Sequence, residues 1–178
     1  MTLLNDGKTQ IPIRATSLAR LYYKQEFRRE LDEDITLLRG DTNTGMIGEM
    51  LYRMVWAMAK ADCYYRREPM PGFTQWLLGQ LEFDLAVCVD MILEEIKNGF
   101  TIVGPPGGKP SAPETGNNSG QFAENIICIC LRLGLSFEEI NELTTQSLVD
   151  IMRVSIGETE KTQTGRIATA AEATAFFS

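Results

Sequence analysis

One stretch constrains the fold of this chain more than any other, and it runs from Ile47 to Tyr65. Its apolar residues recur at the i, i+3, i+4 and i+7 spacing of a helix with one wide apolar face. The aromatic side chains widen that face, so the pattern predicts a core helix near the middle of a bundle. The same pattern also suits a groove for another protein, because methionine side chains adapt to irregular partners. The residues at which the two interpretations differ are Tyr52, Trp56, Met50, Met54 and Met58.

The residues before this helix predict a β-hairpin and an earlier helix. Two short β-prone runs flank Asp6-Gly7, and glycine supplies the positive φ that such a turn requires. A helix is predicted from about Leu18 to Leu38, with Thr16 or Ser17 as its cap and a candidate break at Leu31. Its polar side is predicted to carry Arg20 and five further charged residues.

A second amphipathic region follows the central helix and runs from Phe73 to Ile96. Thr74 is its predicted cap, and Asn98-Gly99 is its predicted C-terminal end. Residues 1–103 are therefore predicted to form an N-terminal hairpin plus a small helical bundle. The predicted fold class of the whole chain is mainly α.

The remainder of the chain predicts a linker, a small helical module and a tail. Residues 104–120 are rich in Pro and Gly and lack large apolar residues, which is typical of a linker. Residues 121–157 predict short helices, one of them with Ser136 and Glu139 in a capping box. Residues 158–178 are predicted to be a flexible tail that ends in Phe176-Phe177, a candidate docking motif.

Composition excludes several classes of function. The net charge of −7 and the lack of a Lys/Arg cluster argue against nucleic acid as a ligand. There is no His, no phosphate-binding loop and no metal-ligand spacing, so we predict a protein without enzymatic activity or cofactors. No apolar run approaches the ~20 residues of a membrane span, which predicts a cytoplasmic protein. The four cysteines are predicted to be buried free thiols, and adjacent acids such as Asp32-Glu33-Asp34 to lie on solvated helix faces.

The order of these features resembles the tail assembly chaperones of long-tailed phages of Gram-positive bacteria. The resemblance rests on the hairpin with its DGK turn, the segment YYKQEFRRE, the central VWAMAK and the segment FTQWL. It covers about Leu3 to Phe100, with Lys24 in place of the Arg after Tyr23 and Glu30 in place of Asp as departures. The C-terminal residues are similar to the extension of the long form of these chaperones, which is usually joined by a ribosomal frameshift.

The resemblance implies a transient assembly factor in the host cell cytoplasm. Such a protein binds the tape measure protein, recruits major tail tube protein subunits, and forms a homo-oligomer through its first domain. An apolar groove suits a helical partner, and an acidic exterior keeps the complex soluble. The candidate partner-binding residues are Tyr52, Trp56, Trp76, Ile140, Leu143, Leu148, Phe176 and Phe177.

Two other functions fit the sequence pattern. One is a structural tail-completion or connector protein of the virion, for which the hairpin would add a strand to a partner sheet. The other is a small acidic transcription or anti-repressor factor that uses residues 135–156. The charge of residues 121–178, with eight acidic and four basic residues, disfavours the second.

Overall fold

A computed structural model describes residues 1–40, 44–100, 122–152 and 154, and these are mainly helical with an N-terminal β-hairpin. The predicted fold class is therefore confirmed. The elements are β1 Thr2–Asn5, β2 Gln10–Ile13, α1 Ser17–Phe27, α2 Leu31–Gly40, α3 Thr44–Arg66, α4 Phe73–Gly79, a 3₁₀ turn Leu85–Cys88, α5 Val89–Phe100, α6 Phe122–Arg132 and α7 Phe137–Glu142. Residues 145–152 form a further helical segment. The predicted linker 104–120 and tail 158–178 lie outside the described residues, so the predicted domain boundaries stay predictions.

The hairpin forms as the sequence predicts. β1 and β2 pair antiparallel with Leu4 opposite Ile11, and both of these side chains are buried. In the turn, Gly7 has a φ of 91°, and the Asp6 carboxylate accepts the backbone N–H groups of Lys8 and Thr9. One face of the hairpin therefore packs on the helices, which stabilises a two-stranded sheet that would be marginal alone.

The first predicted helix is broken in two. Arg28 adopts the left-handed conformation with a φ of 56°, and its N–H donates to the carbonyl of Lys24 at 3.0 Å. The chain restarts at Leu31 as α2, so the candidate break is confirmed. The break folds α2 back toward α1 and α3.

Of two predictions about α1, one is confirmed and one is wrong. Thr16 is the N-cap residue of α1, as predicted, but its hydroxyl accepts no N–H group of the helix and donates to Asn141 at 2.8 Å instead. Arg20 is buried and not on a polar face; its guanidinium pairs with Asp32 and donates to the carbonyl of Phe100 at 2.7 Å. In both cases a distant part of the chain supplies the partner.

The central helix α3 is core on every side. It contacts α1, α2, α4, α7 and β2, and every residue from Met54 to Ala59 is buried. Six consecutive buried residues cover more than a full helical turn, so α3 has no face open to solvent in this part. Met50, Met54, Met58 and Trp56 are all at most 3% exposed, which favours the core interpretation over a groove.

The region after α3 differs from the prediction in two places. The N-cap residue of α4 is Gly72 and not Thr74. The N–H of Phe73, in the first turn of α4, donates to the Glu26 carboxylate of α1 at 2.9 Å. The last helix of the bundle continues past the predicted stop to Phe100, and Gly99 is buried. Gly99 therefore serves a close approach between segments and not a helix end.

The C-terminal helices, which we define as α6, α7 and residues 145–152, pack against α1 and α3. Gly134, with a φ of 90°, ends the turn after α6. Ser136 and Glu139 form the predicted capping box of α7, and the Thr144 hydroxyl accepts the N–H of Ser147 at the next helix start. Their local signals were therefore sufficient to predict these helices.

Candidate interaction surfaces

Five aromatic side chains from α1, α3 and α4 converge in one cluster, which we call the aromatic joint. Phe27 lies at its centre, with its ring centroid 4.9 Å from that of Phe73 and 5.5 Å from that of Trp56. The Trp56 indole N–H donates to the carbonyl of Pro71 at 3.2 Å. The members of the joint are Tyr23, Phe27, Trp56, Phe73 and Trp76.

The five residues of the aromatic joint are all among those that carried the family resemblance. Edge-to-face ring pairs of this kind contribute about 0.5–1.5 kcal/mol beyond the area they bury. Trp56 is fully buried and Trp76 is 8% exposed, so these two candidate partner-binding residues contribute to the core. A partner reaches Trp56 only after the core opens, whereas Trp76 also lines an open groove at the surface. The joint instead fixes α4 and the residues after it against α1 and α3.

Tyr52 is also occupied within the chain. Its side chain is partly buried, and its hydroxyl donates to the carbonyl of Phe83 at 3.0 Å. Burial raises the pKa of this hydroxyl, so it stays a neutral donor at physiological pH. The Tyr52 side chain therefore links α3 to the residues around Phe83.

The residues from 78 to 93, which we call the apolar segment, form the clearest exposed surface of the bundle. Phe83, Leu85, Cys88 and Ile92 are its buried residues, but five large apolar side chains are between 41% and 75% exposed. These are Leu78, Leu81, Val87, Met91 and Leu93. The segment also carries exposed acids, namely Glu82, Asp84 and Asp90, and no Lys or Arg.

The apolar segment is held firmly to the bundle. Phe83 is only 3% exposed, and the N–H of Asp84 donates to the Asp6 carboxylate of the hairpin turn at 2.8 Å. Hydrogen bonds from the backbone of Thr9, Asp84 and Lys8 lower the pKa of Asp6 to about 2, so this anchor is ionised at neutral pH. These contacts attach the middle of the apolar segment to the bundle, while its other apolar side chains stay exposed.

An open groove of about 200 Å³ lies beside the start of this segment. Its walls are β2, the second half of α3, the Pro69–Pro71 turn, the middle of α4 and the residue that follows α4. The lining residues are Gln10, Ile11, Pro12, Ala59, Cys63, Arg66, Pro69, Met70, Pro71, Trp76 and Gln80. It is too small for a helix and adds a recess next to the apolar segment.

Comparison of this chain with protein-family models, curated proteins and solved structures finds no match. The surfaces therefore have to be interpreted from their own chemistry.

Two buried carboxylates have ion-pair partners within the bundle. Asp34 was predicted to be solvated, but it is fully buried, accepts a hydrogen bond from the Tyr23 hydroxyl and pairs with Arg29 at 2.8 Å. Burial, assisted by the Asp34 hydrogen bond, raises the pKa of Tyr23. Asp62 is likewise buried and pairs with Arg66 at 2.7 Å.

The remaining candidate residues lie in the C-terminal helices or beyond. Ile140 and Leu148 are fully buried in a second apolar cluster, and Leu143 packs at its edge. Phe176 and Phe177 lie outside the described residues. The sequence-based candidates are thus core residues wherever the structure describes them, apart from the partly buried Tyr52 and Leu143.

The thiols fit the prediction in part. All four cysteines are free, and Cys88 and Cys130 are buried as predicted. Cys128 is exposed, because its position two residues before Cys130 places it on another side of α6. Cys63 is partly exposed, and burial still raises the pKa of its thiol.

Within the described ranges, no three Cys, Asp or Glu side chains converge to hold a metal ion. Across the same residues, no helix combines the length and apolarity that crossing a membrane requires. The described surface that stands out is the apolar segment, with its exposed apolar side chains and neighbouring acids.

Proposed function

We propose that this chain is a phage tail assembly chaperone that binds the tape measure protein and recruits tail tube subunits in the host cytoplasm. The observation that carries the proposal is the apolar segment, since five exposed large apolar side chains lie within sixteen residues. Several exposed large apolar side chains within a short segment are typical of an interaction site. The motif resemblance supplies the identity of the partner.

The chemistry of the apolar segment specifies the partner surface. An amphipathic helix lays its apolar stripe along an apolar face, with contacts repeated every three or four residues. Val87 and Met91 are four residues apart and offer this spacing from the chaperone side. Glu82, Asp84 and Asp90 would then face lysine or arginine residues beside the stripe of the partner helix, which gives orientation and faster association.

The direct test is binding of the full chain to the tape measure protein from the same genome. Val87→Asp in the apolar segment should weaken binding at least tenfold, because it places a charge within an apolar contact. The matched control is Val154→Asp, since Val154 is 61% exposed and Val87 is 63% exposed. The control should bind as the unmodified chain does, and equal binding by both variants would contradict a role for the apolar segment.

The resemblance itself is tested by the unmodified chain. Absence of binding to both the tape measure protein and the tail tube protein would exclude the proposed function. Because electrostatic contributions are screened by salt, binding should also weaken between about 0.05 and 0.5 M NaCl without being abolished. A salt-insensitive complex would show that the acids of the segment do not take part.

The alternative is a structural tail-completion or connector protein, and the hairpin favours it. In the described residues, β1 and β2 pair only with each other, which leaves strand edges available for another sheet. Mass spectrometry of purified particles separates the two functions. A chaperone should be missing from particles, whereas a structural component should be present at a fixed copy number.

A further inference from the structure

The contact between the C-terminal helices and the bundle joins two separate apolar clusters. The larger cluster lies within the bundle, around α3. The smaller cluster consists of buried residues of the C-terminal helices and a single buried bundle residue, Leu18 of α1. Its members from the C-terminal helices are Ile126, Ile127, Cys130, Ile140 and Leu148.

Polar groups supply much of this contact. Asn141 is fully buried, accepts from the Thr16 hydroxyl at 2.8 Å, and donates to the carbonyl of Ala61 at 2.8 Å. The Ser17 and Thr145 hydroxyls meet at 3.5 Å, at a point where both side chains are buried. Contacts between two parts of a chain that combine a small apolar cluster with polar groups resemble interfaces that separate and re-form.

An ion pair at the edge of the contact adds electrostatic complementarity. Lys24 of α1 lies 2.7 Å from Glu124 of α6. Any helix that replaced the C-terminal helices on α1 would have to offer an acceptor to the buried Thr16 hydroxyl and a donor to the Ala61 carbonyl. An acid beside Lys24 would add to the pair that Lys24 already makes with Glu30. Another copy of the same chain supplies all three groups.

The segment that joins the bundle to the C-terminal helices is long enough for those helices to dock on a second copy. Residues 101–121 join α5 to α6, and a segment of this length reaches about 70 Å when fully extended. A domain of 100 residues has a radius of gyration of about 13 Å, so that reach exceeds the width of the bundle. The C-terminal helices are therefore not confined by chain length to the α1 of their own copy.

We propose that the C-terminal helices exchange between copies, so that those of one chain dock on α1 and α3 of a second chain. The exchanged contact is identical to the intramolecular one, so it costs little beyond the association of two chains. Asn141 determines the register in both forms, because it is the buried group that bonds both Thr16 and Ala61. This proposal is independent of the tail-assembly function.

Cysteine substitution at the 17–145 contact provides the test. The two single variants Ser17→Cys and Thr145→Cys are prepared as full chains, mixed at equal amounts, and oxidised mildly at concentrations up to about 1 mM. That range matches the effective concentration created by a short flexible linker, which the second copy has to overcome. We expect a disulfide-linked dimer whose fraction rises with concentration, with a cross-linked peptide joining positions 17 and 145.

Two controls make the result decisive. Ser17→Cys mixed with Glu138→Cys should give no such dimer, because Glu138 is exposed and outside the contact. The double variant Ser17→Cys/Thr145→Cys should close within one chain at low concentration, which reports the intramolecular form. If the double variant closes and the mixture yields no 17–145 dimer, exchange does not occur; if the double variant does not close, the contact itself is absent. Either result overturns the proposal.

Discussion

Gly99 of α5 packs directly on Ala15, the residue that leads from the hairpin into α1. A Cβ atom at position 99 would lie 2.2 Å from the Cβ of Ala15 and 2.3 Å from its carbonyl oxygen. Real atoms do not approach so closely, so only glycine fits here while the two segments keep their positions. This contact ties the last helix of the bundle to the start of the first.

Gly99→Ala should therefore destabilise the bundle. The new methyl group must displace Ala15 or its backbone, and overpacking of this kind costs about 1–3 kcal/mol. Urea unfolding followed by circular dichroism measures the change in the free energy of unfolding. Gly48→Ala in α3 is the matched control, because a Cβ there meets no atom within 4 Å. Alanine at an unobstructed helical position stabilises by about 0.5–1 kcal/mol, so the two variants should shift stability in opposite directions.

Gly99 also shows where sequence patterns stop being informative. Asn-Gly after an apolar helix is a typical C-terminal signal, and it predicted a stop at a position where the helix continues. The signal failed because Ala15, more than eighty residues away, determines what fits there. The predictions that Arg20 and Asp34 lie on solvated helix faces were wrong for the same reason. Their partners, Phe100 and Tyr23, become neighbours only after the chain folds.

Local signals succeeded wherever the determining contacts were local. The Asp6-Gly7 turn, the capping box at Ser136 and the positive φ of Gly134 each depend on residues within a few positions. The candidate interaction surface, the apolar segment, was not predicted from the sequence. Val87 and Met91 lie in the region that was predicted to be amphipathic, but its buried side is filled by Cys88 and Ile92 while Val87 and Met91 are exposed. Periodicity alone did not separate the two stripes.

Tyr23→Phe tests the buried hydrogen bond to Asp34. The substitution removes one hydroxyl from the aromatic joint. The buried Asp34 carboxylate then keeps its ion pair with Arg29 but loses the hydrogen bond from Tyr23. Loss of a hydrogen bond to a buried charged group should cost about 1.5–3 kcal/mol. The free energy of unfolding in urea measures it, with Tyr64→Phe as control because Tyr64 is 38% exposed. A loss of equal size in both variants would show that the hydroxyl of Tyr23 has no special role.

The Asp6 anchor predicts a pH dependence of stability. Folding lowers the pKa of this carboxyl from 3.8 to about 2, so the ionised form is favoured in the folded state. A group of this kind stabilises the fold fully above its unfolded pKa, and this contribution is lost as the pH falls through 3.8 toward 2. Asp6→Asn has no such ionisation. The stability difference between the unmodified chain and Asp6→Asn should therefore be constant from pH 7 to about 5 and decrease below about 4.

Urea unfolding at each pH provides that comparison. Glu82→Gln removes another exposed acid close in sequence to Asp84 and serves as the control for a general charge effect. Glu82 makes no such contact with the hairpin turn, so Glu82→Gln should not reproduce the acid-dependent change expected for Asp6→Asn. If Asp6→Asn and Glu82→Gln behave alike, the hydrogen bonds to Asp6 do not contribute to the acid sensitivity of the fold.

Asn141→Ala should release the C-terminal helices while the bundle stays folded. The substitution removes the donor to the Ala61 carbonyl and the acceptor for Thr16, which leaves buried polar groups without partners at a cost of about 1–3 kcal/mol. Since the aromatic joint and the larger apolar cluster do not include residue 141, the bundle should keep its protection. Hydrogen exchange should therefore accelerate at residues 126–148 and remain slow at residues 50–61. Glu138→Ala, an exposed position on the same helix, should change neither region. Faster exchange throughout the bundle of Asn141→Ala would mean that the two apolar clusters unfold as one unit.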